Sequence, residues 1–428
     1  MASFENKFLK KRFTRVTTLQ ACAERASPLL AMLDKPVQGG ASVAEPCVFS
    51  GPQGFSYSLS AAQAVSAQTD RGASNYQEFV STFGEYHGSA VITARAVAGG
   101  RTDADAYLRQ LTEVMESSLY SFGSIAARKL IGPVGNAIGR ISDLDQGGTN
   151  GEIELTIRGD AFNFTPGMIL QAADGTGNGA PSNVRSGLGY VFMVTPDADG
   201  DTSHIKVATS SGSTTAAGPT GWADGDYLFR NGDVAAGSDL SDAQVRSLQS
   251  WLTLTASSTT FNGVDRSAHA GLSGFRVSAT DVAGLSILDR IQLLVNVGRS
   301  EYNAQQIDVC VLGPRTWQQL AQEAQSYGRL DFTENTKIGV KVLTVMTANG
   351  PLQVLNEPHC AEADIWVLNT SKVKIYNYDG FPGLDEGDGN QILRQTSSAA
   401  YEVRWHAFNN LTVGGQPWLA GGRCNSGN

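Results

Sequence analysis

Apolar positions recur every three to four residues over one stretch far longer than any other in the chain. Tyr107, Leu111, Val114, Met115, Leu119, Phe122, Ile125, Ala126 and Leu130 share one face of a helix predicted from Asp103 to Ile131. At about 1.5 Å rise per residue that helix is roughly 40 Å long, well beyond the usual three turns. Thr102 and Asp105 stand at capping-box spacing, and Gly132-Pro133 closes the segment.

Before it, residues 1–40 carry a broken helical pattern: Phe8, Val16, Leu19, Ala23, Leu29, Leu30 and Leu33, with Pro28 and Pro36 as interruptions. A peripheral helical arm is expected. Residues 48–100 are rich in Gly, Ser, Ala and Gln. Phe55–Leu59 and Ala90–Val97 read as strands, with a short amphipathic segment, Asn75–Phe83, between them. The pattern predicts a long two-stranded excursion that returns to the start of the long helix. An excursion with little core of its own finds its partner on another molecule or stays unordered.

After the helix the period changes to two. Glu152–Arg158 alternates, and Phe164–Leu170, Gly189–Thr195, His204–Ala208 and Asp226–Arg230 read as further short strands, separated by turn signals such as Asp174-Gly175 and Asn231-Gly232. A small β-barrel or curled sheet, inserted at about residues 142–237, is expected. From residue 239 the pattern is mixed. It predicts a short helix at Ser241–Leu248, helices at Asp281–Arg299 and Arg315–Tyr327, and a strand at Ile307–Leu312. Paired strands are expected at Lys341–Met346 with Leu352–Leu355 and at Ile365–Leu368 with Val373–Asn377. A long half-buried strand is expected at Tyr401–Phe408.

The chain has 428 residues, so more than one core is expected. Its net charge of −9 excludes general electrostatic affinity for nucleic acid. The one basic cluster is Lys7, Lys10, Lys11, Arg12 and Arg15. Cys22, Cys47, Cys310, Cys360 and Cys424 show no CxxC spacing and read as reduced thiols. There is no transmembrane run of apolar residues and no signal peptide.

Chemistry is sparse. There is no GxSxG, HExxH or GxxxxGK[ST] motif. Asp197–Asp201 resembles a fragment of a calcium loop, but its glycine is misplaced, so a hairpin turn is expected. His359-Cys360 is the only adjacent pair of soft ligands. Asp364, Asp379, Asp385, Glu386 and Asp388 read as a solvated acidic loop, and the six tryptophans as core. No catalytic, cofactor or metal residue is assigned.

The order of elements resembles the major capsid proteins of tailed bacteriophages with the Hong Kong 97 (Johnson) fold. The resemblance is carried by Val311–Leu320 (strand-to-helix through Gly-Pro), Phe261–Ser267 after Trp251, Ile365–Tyr376, and the closing Glu402–Trp405, Asn410–Gly415 and Leu419–Gly422. It implies an α+β fold with a long spine helix, an extended E-loop hairpin, peripheral (P) and axial (A) domains and an inserted small β-barrel-like domain. The implied parts are an N-arm at 1–45 and an E-loop at 46–100. The P domain takes 101–141, 238–279 and 388–409. The insertion is 142–237, and the A domain takes 280–387 and 410–428.

The implied function is structural and not enzymatic: self-assembly through pentamers and hexamers into the icosahedral head of a virion, assembled in the host cytoplasm around double-stranded DNA. Implied partners are other copies, a portal, a decoration protein and a separate scaffolding protein, the last because only 45 residues precede the E-loop. An encapsulin-like bacterial nanocompartment shares the fold, and a multidomain hydrolase is the third reading. Some members cross-link through an E-loop lysine. Here residues 36–128 contain none, so no such bond is expected. Tyr57, Tyr76, Phe79 and Phe83 are expected as E-loop contact anchors between subunits, with Arg71 and Arg95 as partners for a neighbour's carboxylates.

Overall fold

A computed structural model of the chain describes residues 21, 23–50, 56–66, 75–93, 104–132, 137–145, 151–156, 160–174, 184–195, 203–233, 246–257, 260–304, 306–326, 331–335, 340–347, 350–362, 364–385, 393–394 and 400–425. The chain begins with a short helix, α1 (Pro28–Met32), capped by Ser27, whose hydroxyl accepts from the Leu30 N–H. Strand β1 (Ser42–Ser50) follows, then an exposed helix α2 (Leu59–Ser66), β2 (Asn75–Thr82) and β3 (Gly84–Thr93). The long helix is α3 (Ala104–Ile131), one residue from its expected start. The expected cap at Thr102 lies outside the described residues.

Six strands come next: β4 (Gly139–Asp143), β5 (Glu152–Leu155), β6 (Ile169–Ala173), β7 (Gly189–Thr195), β8 (His204–Ala208) and β9 (Tyr227–Arg230). They close as a barrel in the order β4-β5-β8-β7-β6-β9. Its interior is filled by one side of the alternation, including Ile141, Ile153, Leu170, Val191, Ile205, Val207 and Leu228, so it is a packed core and not a channel. Gly139 is required where β4 crosses Phe164, because a Cβ there would lie 2.9 Å from that ring. The inserted barrel of the sequence reading is therefore present, and it begins a few residues before residue 142.

The remainder runs α4 (Leu248–Trp251), β10 (Thr260–Phe261), β11 (Val264–Asp265), β12 (Phe275–Val277), α5 (Ala279–Val282), α6 (Ile287–Tyr302), β13 (Val309–Leu312), α7 (Pro314–Ser326), β14 (Asp331–Asn335), β15 (Val340–Thr347), β16 (Gly350–Asn356), β17 (Asp364–Leu368), β18 (Val373–Asn377), β19 (Gly383–Leu384), β20 (Leu393–Arg394), β21 (Ala400–Val413), α8 (Pro417–Ala420) and β22 (Gly421–Asn425). The helix expected at 281–299 is two helices. Gly284 adopts φ +75° between them, and Ser286 caps the second by accepting from the Asp289 N–H. The short helix expected at 241–248 starts at Leu248, and residues 241–245 lie outside the described ones.

Two sheets organise these elements. One has seven strands in the order β12-β22-β17-β13-β16-β15-β14. Alternate residues of its central strands enter two cores. Cys310, Leu312, Ile365 and Val367 meet Ile291, Leu294 and Val295 of α6, while Val309, Val311, Trp366 and Leu368 face the other way. Burial on both faces explains why β13 and, after Asp364, the rest of β17 read as unbroken apolar runs. The second sheet is built on β21, which pairs with β18, β19, β20 and β3. β17 and β18 were expected to pair with each other. Instead the turn Asn369–Lys372 carries the chain from one sheet to the other, and β18 pairs with β21.

α3 lies on the β3/β21 face of the second sheet, as its stripe predicts. Met115, Leu119 and Phe122 share a core with Val403, Trp405 and Ala407, and Trp405 Nε1 donates to Ser118 Oγ at 3.1 Å. Tyr86 stacks on Phe122 with centroids 4.8 Å apart. Where α3 ends, Arg128 Nη1 donates to the Asn163 carbonyl (2.7 Å) and Asn163 Nδ2 to the Ile138 carbonyl (3.0 Å), fixing the barrel to the helix.

Candidate functional site

Among the described residues no side-chain cluster has the form of an active centre. Groups of three His, Cys, Asp or Glu able to hold a metal are absent among the described residues. Cys360 is buried and His359 half-buried between the N-terminal segment and the seven-stranded sheet, and burial holds the Cys360 thiol well above its ordinary range. Of the acidic run, Asp364 is buried. Burial raises its carboxyl, and Arg423, whose Nη2 donates to Oδ2, opposes that shift. The same guanidinium lies over Trp366 at 4.4 Å. Asp379 Oδ2 lies 2.7 Å from His406 Nε2 and ties the turn after β18 to β21.

The unusual surface is the β1–β2 ribbon. Its antiparallel register pairs Ala44 with Val80, Pro46 with Glu78 and Val48 with Tyr76. These six residues alternate onto one face, and all are exposed. Tyr76 is 66% exposed, Val80 43% and Val48 40%, and Glu78 is the only charge on that face. The opposite face is anchored. Val43, Cys47, Phe79 and Ser81 are buried, and Glu45 accepts from the Tyr376 hydroxyl at 2.8 Å. At the base of the ribbon the Val80 N–H donates to the Asn262 carbonyl (2.8 Å) and Asn262 Nδ2 to Ser81 Oγ (3.0 Å). Among the described residues β1 pairs as a strand only with β2, and on its outer edge the Val48 carbonyl accepts from Gln416 Nε2 while Pro46 has no N–H to offer. Beyond the ribbon, Tyr57 and Leu59 at the start of α2 are exposed.

The expected contact residues divide by burial. Tyr57 and Tyr76 project from the surface. Phe79 does not: it is fully buried, edge-on to Trp251 at 5.0 Å, and Trp251 in turn meets Phe261 at 5.0 Å. Phe79 is therefore a core residue of its own chain. Phe83, in the turn between β2 and β3, is half-buried and packs edge-on against Tyr378 at 6.2 Å. Arg71 and Arg95 lie outside the described residues.

The physical reason for the revision is the period. Read as a helix, Tyr76, Phe79 and Phe83 share a face. Read as a strand, Tyr76 and Phe79 point to opposite sides. The strand reading also brings out Val48 and Val80, which the sequence reading missed. Their signal was the alternation Tyr76, Glu78, Val80 opposite Ala44, Pro46, Val48. The strands expected inside the excursion shift accordingly: Ser56–Ser58 is irregular, and Ala90–Thr93 belongs to β3 on the second sheet.

No protein-family model matches the chain, and no curated protein matches its sequence. Solved structures do. A subunit of the cyanophage A-1(L) capsid aligns over 93% of this chain and 92% of that one, with a TM-score of 0.53 and 9% identity. The capsid of an empty GTA particle aligns over 94% and 89%, with a TM-score of 0.42 and 10% identity. A virus-like particle from Pyrococcus furiosus aligns over 96% and 97%, with a TM-score of 0.37 and 7% identity. The first of these likenesses shows the fold: this chain has the Hong Kong 97-like capsid architecture that its order of elements resembles.

Proposed function

We propose that the chain is the major capsid subunit of a tailed phage, which self-assembles through pentamers and hexamers into an icosahedral shell around double-stranded DNA. The observation that carries this reading is the full-length likeness to a phage capsid subunit, over more than nine-tenths of both chains. The ribbon supports it, because its anchored inner face and apolar, solvent-facing outer face suit addition to a neighbouring copy. Many such contacts, each modest, add up in a closed shell, and heterologous contacts of one kind close into rings. No catalytic step is assigned to the chain. Residues 1–45 act as an arm, 46–100 as the contact loop, and the barrel as an accessory body held on the end of α3. A separate scaffolding protein, a portal and a decoration protein are the partners of this reading, with assembly in the host cytoplasm. Arg71 and Arg95 meet carboxylates of adjacent subunits.

Negative-stain electron microscopy of the purified protein tests the reading. Closed particles with five- and six-fold clusters are expected, holding nuclease-protected DNA when isolated from an infected host. Monomers in every buffer overturn it. Shells filled with a protein cargo and no DNA identify a nanocompartment instead.

A further inference from the structure

Glu357 follows β16 directly and is fully buried. Among the described residues its carboxylate receives three donors and no cation: Ser27 Oγ at 2.6 Å, the Leu29 N–H at 3.1 Å and the His359 N–H at 3.4 Å. Two of the three come from the N-terminal segment. The same Ser27 hydroxyl caps α1, so the acid and the helix start are held through one side chain. His359, two residues on, also bonds to that segment, at the Ala26 backbone.

From there the segment spans the molecule. Ala23 crosses α3 so closely at Gly123 that a Cβ there would lie 2.0 Å from the Ala23 carbonyl oxygen. Leu29 and Leu30 are buried in the core that also holds Phe122 and Leu355. Lys35 pairs with Glu24 at 2.6 Å and reaches the Leu30 and Leu33 carbonyls. Asp34 and Val37 then bridge to Lys374 and Asn377 of β18 in parallel register. One strap thus connects the seven-stranded sheet, the long helix and the second sheet. Its sheet-side anchor is a buried acid beside a half-buried imidazole.

We propose that residues 23–38 form a pH-responsive strap, latched by Glu357 and His359, whose ionisations open it from opposite ends of the pH scale. The directions follow from burial. Burial raises the Glu357 carboxyl from 4.5 to about 7, against the pull of its three donors. The latched chain therefore keeps a proton that the open chain gives up between those values. Rising pH in that window favours opening. Burial, and then Arg128, lower the His359 imidazole from 6.5 to about 3. The open chain takes up a proton that the latched chain lacks, so falling pH in that window favours opening. From 4.5 to 6.5 the two effects oppose each other. Above this range the acid acts alone, and below it the imidazole does.

Other ionisable groups face the latch from each packed element. Glu24 and Lys35 on the strap neutralise each other. On α3 stand Arg128 and Lys129, both lowered first by burial. Beyond the latch, burial raises Cys360, Glu362 and Asp364. A comparison between variants at one position isolates the latch from all of these.

Hydrogen exchange of peptides covering residues 23–38 in the unassembled full chain, corrected for intrinsic rates from pH 4.5 to 8, is the test. Glu357→Gln keeps the shape and removes the charge. The opening constant of the unaltered chain, relative to Glu357→Gln, should rise on the order of a hundredfold across this range. A ratio constant with pH overturns the proposal. Should Glu357→Gln not fold, Ser27→Ala serves instead. Loss of the hydroxyl donor should move the alkaline limb of opening to higher pH, and an unmoved limb overturns the proposal equally.

Discussion

Tyr76 and Phe79 are three residues apart and should fail in opposite ways. Phe79 is fully buried against Trp251. Truncating it to Ala removes packing that the anchored ribbon cannot refill, at a cost of about 3–5 kcal/mol of subunit stability. Tyr76 is 66% exposed and touches no core. A large aromatic side chain buries about 150–250 Å², so covering the exposed part of Tyr76 removes roughly 130 Å² from water. At ~25 cal/mol per Å² this contributes about 3 kcal/mol to association. Val80, 43% exposed, adds about 1 kcal/mol. The double variant Tyr76→Thr/Val80→Thr keeps β-branched residues on the strand, so the ribbon itself should persist. Its unfolding midpoint in denaturant should match the unaltered subunit. The concentration needed for assembly, read by light scattering and sedimentation, should rise by up to on the order of a thousandfold. Phe79→Ala should do the reverse, lowering the unfolding midpoint whether or not particles form. Normal assembly of the double variant, or an unfolding curve of Phe79→Ala that overlays the parent, would refute the assignment of the two faces.

Three more outcomes can be checked independently. Asp364→Ala leaves Arg423 buried beside Trp366 without its carboxylate, and should cost about 3–5 kcal/mol in a denaturant titration. Excising residues 137–233 and joining the ends with a short Gly-Ser linker should leave a folded body, since the barrel has its own core. The excised barrel should unfold cooperatively by circular dichroism. Particles boiled in detergent should run as single subunits on a gel, because residues 36–128 offer no lysine for an isopeptide bond.

Elements with one dominant period were legible from sequence. α3, the barrel strands, the β15–β16 hairpin, α7 and β21 each carry a long or clean alternation whose burial follows the pattern. The failures share a cause: local pattern is silent about which partner a strand takes. β17 and β18 are separated by a turn that resembles a hairpin, yet Ile365–Leu368 is apolar throughout and Val373–Asn377 alternates. That contrast, a strand buried on both faces followed by one buried on a single face, was the signal that they belong to different sheets. The exposed ribbon face was half legible for a similar reason. Aromatic content singled out the segment, but only the strand register separates its two faces.

The register also settles what kind of body the ribbon is. A two-stranded ribbon alone is marginal in water. This one is held because its inner face has been absorbed into the main core through Phe79, Cys47 and Val43, while its outer face has been left apolar. Had the outer face needed only solubility, charge at Val48, Tyr76 and Val80 would have cost nothing in folding, since none of the three enters the core. Stability therefore accounts for one face of β2 and not for the other. The exposed face follows if the same strand must be rigid before assembly and sticky during it. A ribbon fixed to its own subunit gives up less entropy when it docks than a loose loop would. On this argument the interior contact of Phe79 with Trp251 and the exterior stripe of Tyr76 and Val80 act together, the first setting the angle at which the second is presented.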